Sequence, residues 1–149
     1  MELVLTQLAP QHELLNPHWA RLSEAELAQP LAAGRWSRKQ ILGHLIDSAV
    51  NNQRRFVQAQ FGPWPYELSP YDQDQWVHAG GYAVAPSPPL LTLWNALNQQ
   101  LARLIGLMPN NALACECRTP DGRLVTLEWL VQDYVMHLTH HVQQILAAE

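Results

Sequence analysis

Hydrophobic residues recur at helical spacing in four long stretches of the chain, separated by segments rich in proline, glycine and aspartate. Apolar side chains three or four positions apart share one face of an α-helix. No comparable set of alternating strand patterns is present. The pattern predicts a single all-α domain over residues 1–149, a four-helix bundle with a long crossover connection. The predicted helical segments are Thr6–Ala28, Ser37–Phe61, Pro88–Gly106 and Thr126–Ile145.

Capping residues mark several helix boundaries. Ser37 is a good N-cap, and Gln40 occupies the capping-box position three residues later. Thr126 is the predicted N-cap of the last helix. Asn16 and Pro17 interrupt the first segment, so a kink or a restart is expected there.

Two connections remain between these helices. The first, Gly62–Pro89, is long, and Tyr71–Val77 within it favours one short helical turn. The second, Asn110–Val125, contains the turn signal Pro120-Asp121-Gly122, whose flanks are expected to pair as a short hairpin.

Composition narrows the function classes. Charged residues make up 15 % of the chain, the net charge is −4, and only one of the nine cationic residues is lysine. This balance argues against a nucleic-acid partner. The absence of a long apolar run argues against a membrane partner. Cys115 and Cys117 are two residues apart and point to opposite faces of an extended segment, so we expect no disulfide and a cytoplasmic protein.

Histidine is the residue type considered first for a functional site, because the chain has seven histidines. In the last helix His137 and His141 are four residues apart, so both side chains can reach one metal ion, and His137 with His140 is an alternative pair. Helical phase favours the first pair, because His141 lies within the apolar face and His137 at its edge. The residues of that face are Leu127, Leu130, Tyr134, Leu138 and Ile145.

A third ligand has to come from another helix, and His44 is the best candidate. Three imidazoles leave coordination positions open, which is typical of a catalytic site. Such ligands suit Zn or Ni, with Fe, Mn or Cu as alternatives. Asp47 is a candidate auxiliary base, or else an acid that supports the site or lies at the surface. Asp133, four residues before His137, is likewise either a supporting or a surface acid.

Simpler interpretations compete with the metal site. A lone pair of histidines four residues apart is more often a solvated or core pair, whereas three buried histidines without a metal are costly. His12, His18 and His78 are expected at the surface or in loops. Asp72 and Asp74 fit capping or turn roles as well as the rim of a site.

Two motifs resemble a known family. Residues 36–47 (WSRKQILGHLID) resemble the W-S…I-L-x-H-L-x-D segment of the DinB/YfiT-like superfamily. Residues 133–145 (DYVMHLTHHVQQI) are similar to its second signature, H-x-x-x-H-x-x-Q-I. The stretch 71–76 also looks like the connection in YfiT-like members, so the resemblance covers nearly the whole chain in order.

The resemblance implies a four-helix bundle with a long crossover and a divalent metal held by His44, His137 and His141. The superfamily includes bacillithiol S-transferases, mycothiol-dependent maleylpyruvate isomerase and proteins described as metal-dependent hydrolases. Dimers are common among its members. The implied partners are therefore a small-molecule substrate, a low-molecular-weight thiol for the transferase reaction, and a second copy of the chain.

Two functional hypotheses follow. The first is a metal-dependent enzyme on a small molecule, either a hydrolase or a low-molecular-weight-thiol S-transferase, in which the metal lowers the pKa of water or of the thiol. The second is a non-catalytic metal-binding bundle or a stress-related ligand-binding bundle. Metal content and turnover of electrophilic probes discriminate between them.

Overall fold

Four long helices form the body of the fold in this computed structural model, which describes residues 2–147 except for the side chains of residues 2–4, 9 and 10. α1 and α3 each pack against both α5 and α7, so α1 and α3 occupy opposite corners of a four-helix bundle. Residues 1, 148 and 149 of the predicted domain lie outside the described part. The helices are α1 (Glu2–Trp19), α2 (Glu24–Ala28), α3 (Arg38–Gln58), α4 (Gln73–Ala79), α5 (Ser87–Gly106), α6 (Asn110–Leu113) and α7 (Leu127–Ala147).

Both predicted caps that position the histidine-bearing helices are confirmed. The Ser37 side chain accepts a hydrogen bond from the Gln40 backbone, and the Gln40 side chain accepts one from the Ser37 backbone at 3.0 Å. The Thr126 hydroxyl accepts a bond from the Trp129 backbone N–H at 3.1 Å. Local hydrogen bonding therefore sets where α3 and α7 begin.

The first predicted segment is divided at a different point from the one expected. α1 continues through Asn16 and Pro17 to Trp19, and the break follows it. Pro17 lacks the backbone donor, yet the chain stays helical past it, and the Ala20 N–H donates to the Asn16 carbonyl at 3.1 Å. α2 restarts at Ser23, which forms a capping box with Glu26; this Ser-x-x-Glu signature was present in the sequence.

A small sheet joins the two connections. The predicted hairpin is confirmed: β2 (Glu116–Arg118) and β3 (Leu124–Thr126) pair antiparallel, with Cys117 opposite Val125. β1 (Tyr66–Glu67) adds a parallel strand beside β2, which the sequence pattern did not predict because β1 has only two residues. The sheet ties the long connection between α3 and α5 to the segment before α7.

The core lies between the four long helices. Trp94, Tyr134 and Phe56 are its largest completely buried side chains, and aliphatic residues from each long helix surround them. Tyr134 donates a hydrogen bond to Asn98 Oδ1 at 2.6 Å, which satisfies a polar pair inside this core. Within residues 2–147, no helix combines the length and apolar character needed to cross a membrane.

Candidate metal site

Three histidines converge where α3 packs against α7. His44 lies in the first third of α3 and is completely buried. His137 and His141 are one turn apart on α7 and half-buried. One ring nitrogen of each lies within 4.8 Å of the other two, and His44 Nε2 is 2.9 Å from His137 Nε2. The residue trio predicted from helical phase and from the resemblance is therefore brought together by the fold.

The three rings pack edge to face around one point. The ring centroid of His44 is 4.9 Å from that of His137 and 4.8 Å from that of His141. The His137 and His141 centroids are 4.6 Å apart. His140 touches the ring of His141 but is exposed and lies outside the converging group, which agrees with its predicted helical phase.

Burial keeps these imidazoles in their neutral form. Loss of solvent, with a smaller effect of His141, lowers the pKa of His44 to about 4. Burial and the neighbouring histidines lower the pKa of His137 to about 3. The pKa of His141 is also lowered, again chiefly by burial. Neutral imidazoles have the nitrogen lone pair that metal coordination requires.

The residues present fit a divalent metal ion. Zinc–nitrogen bonds of about 2.0–2.1 Å in a tetrahedral site place ligand nitrogens about 3.4 Å apart. In this group one pair of nitrogens is 2.9 Å apart, and all three lie within 4.8 Å of one another. Nδ1 of His44 and Nδ1 of His137 are buried without a hydrogen-bond partner. Burying three imidazoles mainly against one another is costly unless a bound ion offsets the lost hydration.

Gln144 and Trp36 contact the histidine rings. Helical phase did not predict this role for either residue. Gln144 Oε1 accepts a hydrogen bond from His141 Nδ1 at 2.9 Å, which leaves the Nε2 lone pair of that ring available. The indole of Trp36 lies against the ring of His44, with centroids 5.2 Å apart. In the sequence, only their positions pointed to these contacts. Gln144 follows His141 by three residues, and Trp36 directly precedes the N-cap of α3.

Asp47 is buried on α3, but the structure does not bring it into the histidine group. Its Oδ1 accepts a hydrogen bond from the Tyr82 hydroxyl at 2.6 Å, and its Oδ2 has no partner. Burial raises the pKa of Asp47, and the bond from Tyr82 opposes this effect. The Tyr82 ring occupies the space above Gly43 and Gly80, where a Cβ would overlap it. Asp47 thus anchors the end of α4 to α3, and its role as a base stays a prediction.

A cavity opens on each side of the histidines. One of about 220 Å³ reaches His137 and is lined by residues of α3, α7 and the long connection, including Arg55, Tyr71 and Asp133. Another of about 430 Å³ reaches His141. The start of α4 lies between the two, since Gln73 lines the first cavity and Asp74 the second. A small molecule can therefore approach the histidines from either side of α4.

The remaining predicted histidines lie away from this group. His78 is exposed on α4, as expected. The expectation of a surface or loop position is wrong for His12 and His18, which are half-buried on α1. His12 packs against Trp94 and its Nδ1 is 2.5 Å from Asn95 Oδ1, because α1 turns this face towards α5.

Other sequence candidates have structural roles. Asp72 caps α4 by accepting a bond from the Gln75 backbone at 2.9 Å. Cys115 and Cys117 are unpaired, as predicted. Cys117 is completely buried in the sheet, and burial raises the pKa of its thiol to about 11. A thiol with so high a pKa is a poor nucleophile near neutral pH.

Two curated proteins with similar sequences carry the same description. A protein from Bacillus pumilus (strain SAFR-032), named "Putative metal-dependent hydrolase", is 29 % identical over 147 residues, covering 95 % of this chain and 78 % of the relative. The "Putative metal-dependent hydrolase YfiT" of Bacillus subtilis (strain 168) is 26 % identical over 125 residues, covering 83 % of this chain and 70 % of YfiT.

Solved structures share the fold. The structure of YfiT from Bacillus subtilis, described as a "probable metal-dependent hydrolase with an unusual four-helix bundle topology", has a TM-score of 0.88 at 24 % identity, covering 99 % of this chain and 84 % of that one. The crystal structure of the mycothiol-dependent maleylpyruvate isomerase has a TM-score of 0.77 at 18 % identity, covering 97 % of this chain and 60 % of the isomerase. The sequence profile of the DinB superfamily matches residues 7–145, and the chain therefore belongs to the DinB superfamily.

Proposed function

We propose that this protein is a metal-dependent enzyme acting on a small molecule, and that His44, His137 and His141 hold its divalent metal ion. The observation that carries the proposal is the convergence of three neutral imidazoles from two helices, next to two cavities. The names of the curated relatives support the same reaction class. Zinc or nickel is the expected ion, with iron, manganese or copper as alternatives.

Three protein ligands leave positions open on a tetrahedral or larger coordination sphere. When bound, the ion lowers the pKa of a coordinated water or thiol and polarises a carbonyl group of the substrate. The protein's own residues prepare this site. Gln144 orients His141, Trp36 covers one side of His44, and the bundle excludes water from the buried face of the histidine group.

The nucleophile defines two versions of the reaction. Hydrolysis, with water as nucleophile, is supported by the names of the relatives. Thiol S-transfer, with a low-molecular-weight thiol as nucleophile, is supported by the fold shared with a mycothiol-dependent isomerase.

Asp47 is the candidate base for the hydrolytic version. Its partnerless Oδ2 and raised pKa support this role, and its bond to Tyr82 supports a purely structural one. Asp47→Asn keeps an acceptor for Tyr82 and removes the basic group. Loss of kcat with unchanged metal content and melting temperature is expected if Asp47 acts as a base, whereas unchanged kcat contradicts that role.

Metal content tests the site. Elemental analysis of the purified protein should give about one divalent ion per chain, and His44→Ala or His137→Ala should remove it. His140→Ala is the matched control, since His140 is on α7 next to His141 but outside the converging group. Absence of metal from the native protein, with no effect of either ligand substitution, would overturn the proposal.

Turnover then separates the functions. The metal-loaded protein is assayed with 4-nitrophenyl esters for hydrolysis, and with 1-chloro-2,4-dinitrobenzene plus bacillithiol, mycothiol or cysteine for S-transfer. Activity lost in His137→Ala supports an enzyme. Bound metal without turnover in either assay supports the non-catalytic bundle instead. The expected homodimer and cytoplasmic location stay predictions, and analytical ultracentrifugation tests the first.

A further inference from the structure

The cavity beside His137 is lined by two opposite charges that form no direct ion pair with each other. Arg55 from α3 and Asp133 from α7 both line it. Among the ion pairs of the described residues, none joins these two side chains. Each charged group therefore remains able to form a charge-assisted hydrogen bond with a ligand in the cavity.

Arg55 is held in position while most of its donors stay available. One guanidinium nitrogen donates to the Ser69 carbonyl at 3.0 Å. The guanidinium carbon is 5.9 Å from the ring centroid of Tyr71, which also lines the cavity. A guanidinium has five N–H donors in a planar fork that matches a carboxylate. Two fixed contacts therefore orient the group and leave donors for an anion.

Asp133 offers the complementary charge. It precedes His137 by one helical turn, so its carboxylate lies on the same side of α7 as that imidazole. No hydrogen bond or ion pair from a described residue engages its carboxylate. Partial burial raises the pKa of Asp133, and the positive charges of Arg123 and Arg55 oppose this effect. Asp133 is exposed overall, so its carboxylate is accessible to a cationic group that enters the cavity.

The dimensions of the cavity limit the ligand to a small molecule. Its volume is about 220 Å³, whereas an apolar cavity of about 150 Å³ holds benzene. The remaining lining is mixed: Ser48 and Asn52 are polar, and Leu130 is apolar. This composition suits a molecule with two charged ends and a short carbon skeleton.

We propose that this cavity binds a small zwitterion of the amino-acid class, with its carboxylate on Arg55 and its ammonium group on Asp133. The further statement that this molecule is the substrate, or the thiol, rests on the proposed function, because it requires a metal at His137, which lines the cavity. Binding itself requires only the two charges, and it is therefore expected with or without metal.

Three matched probes test the proposal by chemical-shift titration of the ¹⁵N-labelled full chain. L-2-aminobutyrate has both charges, butyrate lacks the ammonium group, and propylamine lacks the carboxylate. Each missing charge removes a charge-assisted hydrogen bond, so both single-charge probes should bind about tenfold or more weakly. Titrations are run with chelator-treated and with zinc-loaded protein, and backbone shifts are expected along α3 and α7 around the cavity.

Substitutions assign each charge to its group. Arg55→Gln should reduce the affinity for 2-aminobutyrate to about that for propylamine and leave propylamine unaffected. Asp133→Asn should reduce it to about the affinity for butyrate and leave butyrate unaffected. Arg55→Lys keeps the charge and should retain most of the preference for the carboxylate. Arg54→Gln is the control, because Arg54 is adjacent on α3 but does not line this cavity.

Specific outcomes overturn the proposal. One is equal binding of 2-aminobutyrate and butyrate; another is unchanged affinity in both Arg55→Gln and Asp133→Asn. Binding that requires zinc also overturns it, because amino acids chelate metal ions directly. Binding to the metal-free protein supports the zwitterion site even if the protein proves to have no metal of its own, which separates this result from failure of the proposed function.

Discussion

Acid should destabilise the metal-free protein through its buried histidines, and His44 allows the effect to be calculated. This side chain is completely buried, and its pKa is about 4 in the folded protein against an ordinary value of 6.5. Between these two values the unfolded chain binds more protons than the folded one. The free energy of unfolding therefore falls as the pH falls from about 6.5 towards 4.

The size of the effect follows from these two pKa values. Between about pH 7 and pH 5, His44 alone lowers the free energy of unfolding by about 2 kcal/mol. The pKa of His137 is also lowered, to about 3, so it acts in the same direction. Because His137 is only half-buried, solvent screening reduces its share. A loss of about 2 kcal/mol is large relative to the total stability of about 5–15 kcal/mol usual for a domain.

Urea unfolding of chelator-treated protein at both pH values measures the effect, followed by tryptophan fluorescence and by circular dichroism. His44→Gln removes the titrating group, so the loss between the two pH values should be about 2 kcal/mol smaller than in the wild type. The control is His78→Gln, since His78 is exposed on α4. An equal pH dependence in His44→Gln and the wild type would refute the assignment of the effect to burial of His44.

Three further predictions concern packing, polar contacts and metal binding. Gly43→Ala places a Cβ inside the ring of Tyr82 and should lower the free energy of unfolding by about 1–3 kcal/mol in urea denaturation. Tyr134→Phe leaves the buried Asn98 Oδ1 without its donor and should cost about 1–3 kcal/mol in the same measurement. Zinc at about 100 times its dissociation constant should stabilise the native protein by about 2.7 kcal/mol near neutral pH, measured by the shift in the urea midpoint.

Matched control variants test whether burial causes the losses expected for Gly43→Ala and Tyr134→Phe. Gly106→Ala should leave stability nearly unchanged, because the added Cβ would meet only Leu5 at an ordinary 3.6 Å. Tyr66→Phe removes an exposed hydrogen bond to Gln58 and should cost less than Tyr134→Phe. Equal losses within either pair of variants would contradict the role of burial, and no zinc-dependent shift would contradict metal binding by the native state.

Much of the fold was predictable because it depends on local patterns. The apolar spacing predicted the long helices, and the caps at Ser37 and Thr126 marked the starts of α3 and α7. The break within the first predicted helical segment was predicted at the wrong residue. Its proline suggested a break at Pro17, whereas the capping box at Ser23 is what begins the next helix. The capping box supplies two reciprocal hydrogen bonds at the start of α2, whereas Pro17 removes one donor without ending α1 at that point.

Helical phase also predicted part of the site. His137 and His141 share a face of α7 as a direct consequence of their spacing, and His140 points elsewhere. His44 was selected by its place beside an apolar stripe and by the motif around it. His44 is 93 residues from His137 in the sequence, and only the packing of α3 against α7 brings the two side chains together.

The sequence by itself therefore determined the four long helices, most of their boundaries and which histidines of α7 face inward, because these follow from spacing and from hydrogen bonds between near neighbours. Only the tertiary structure decided what surrounds those histidines. The indole of Trp36 on His44, the anchoring of Asp47 by Tyr82, and the cavity shared by Arg55 and Asp133 join residues from different elements. Such contacts depend on how helices pack. The periodicity of side chains within one helix shows which face is apolar, but it does not specify which residues of other elements pack against that face.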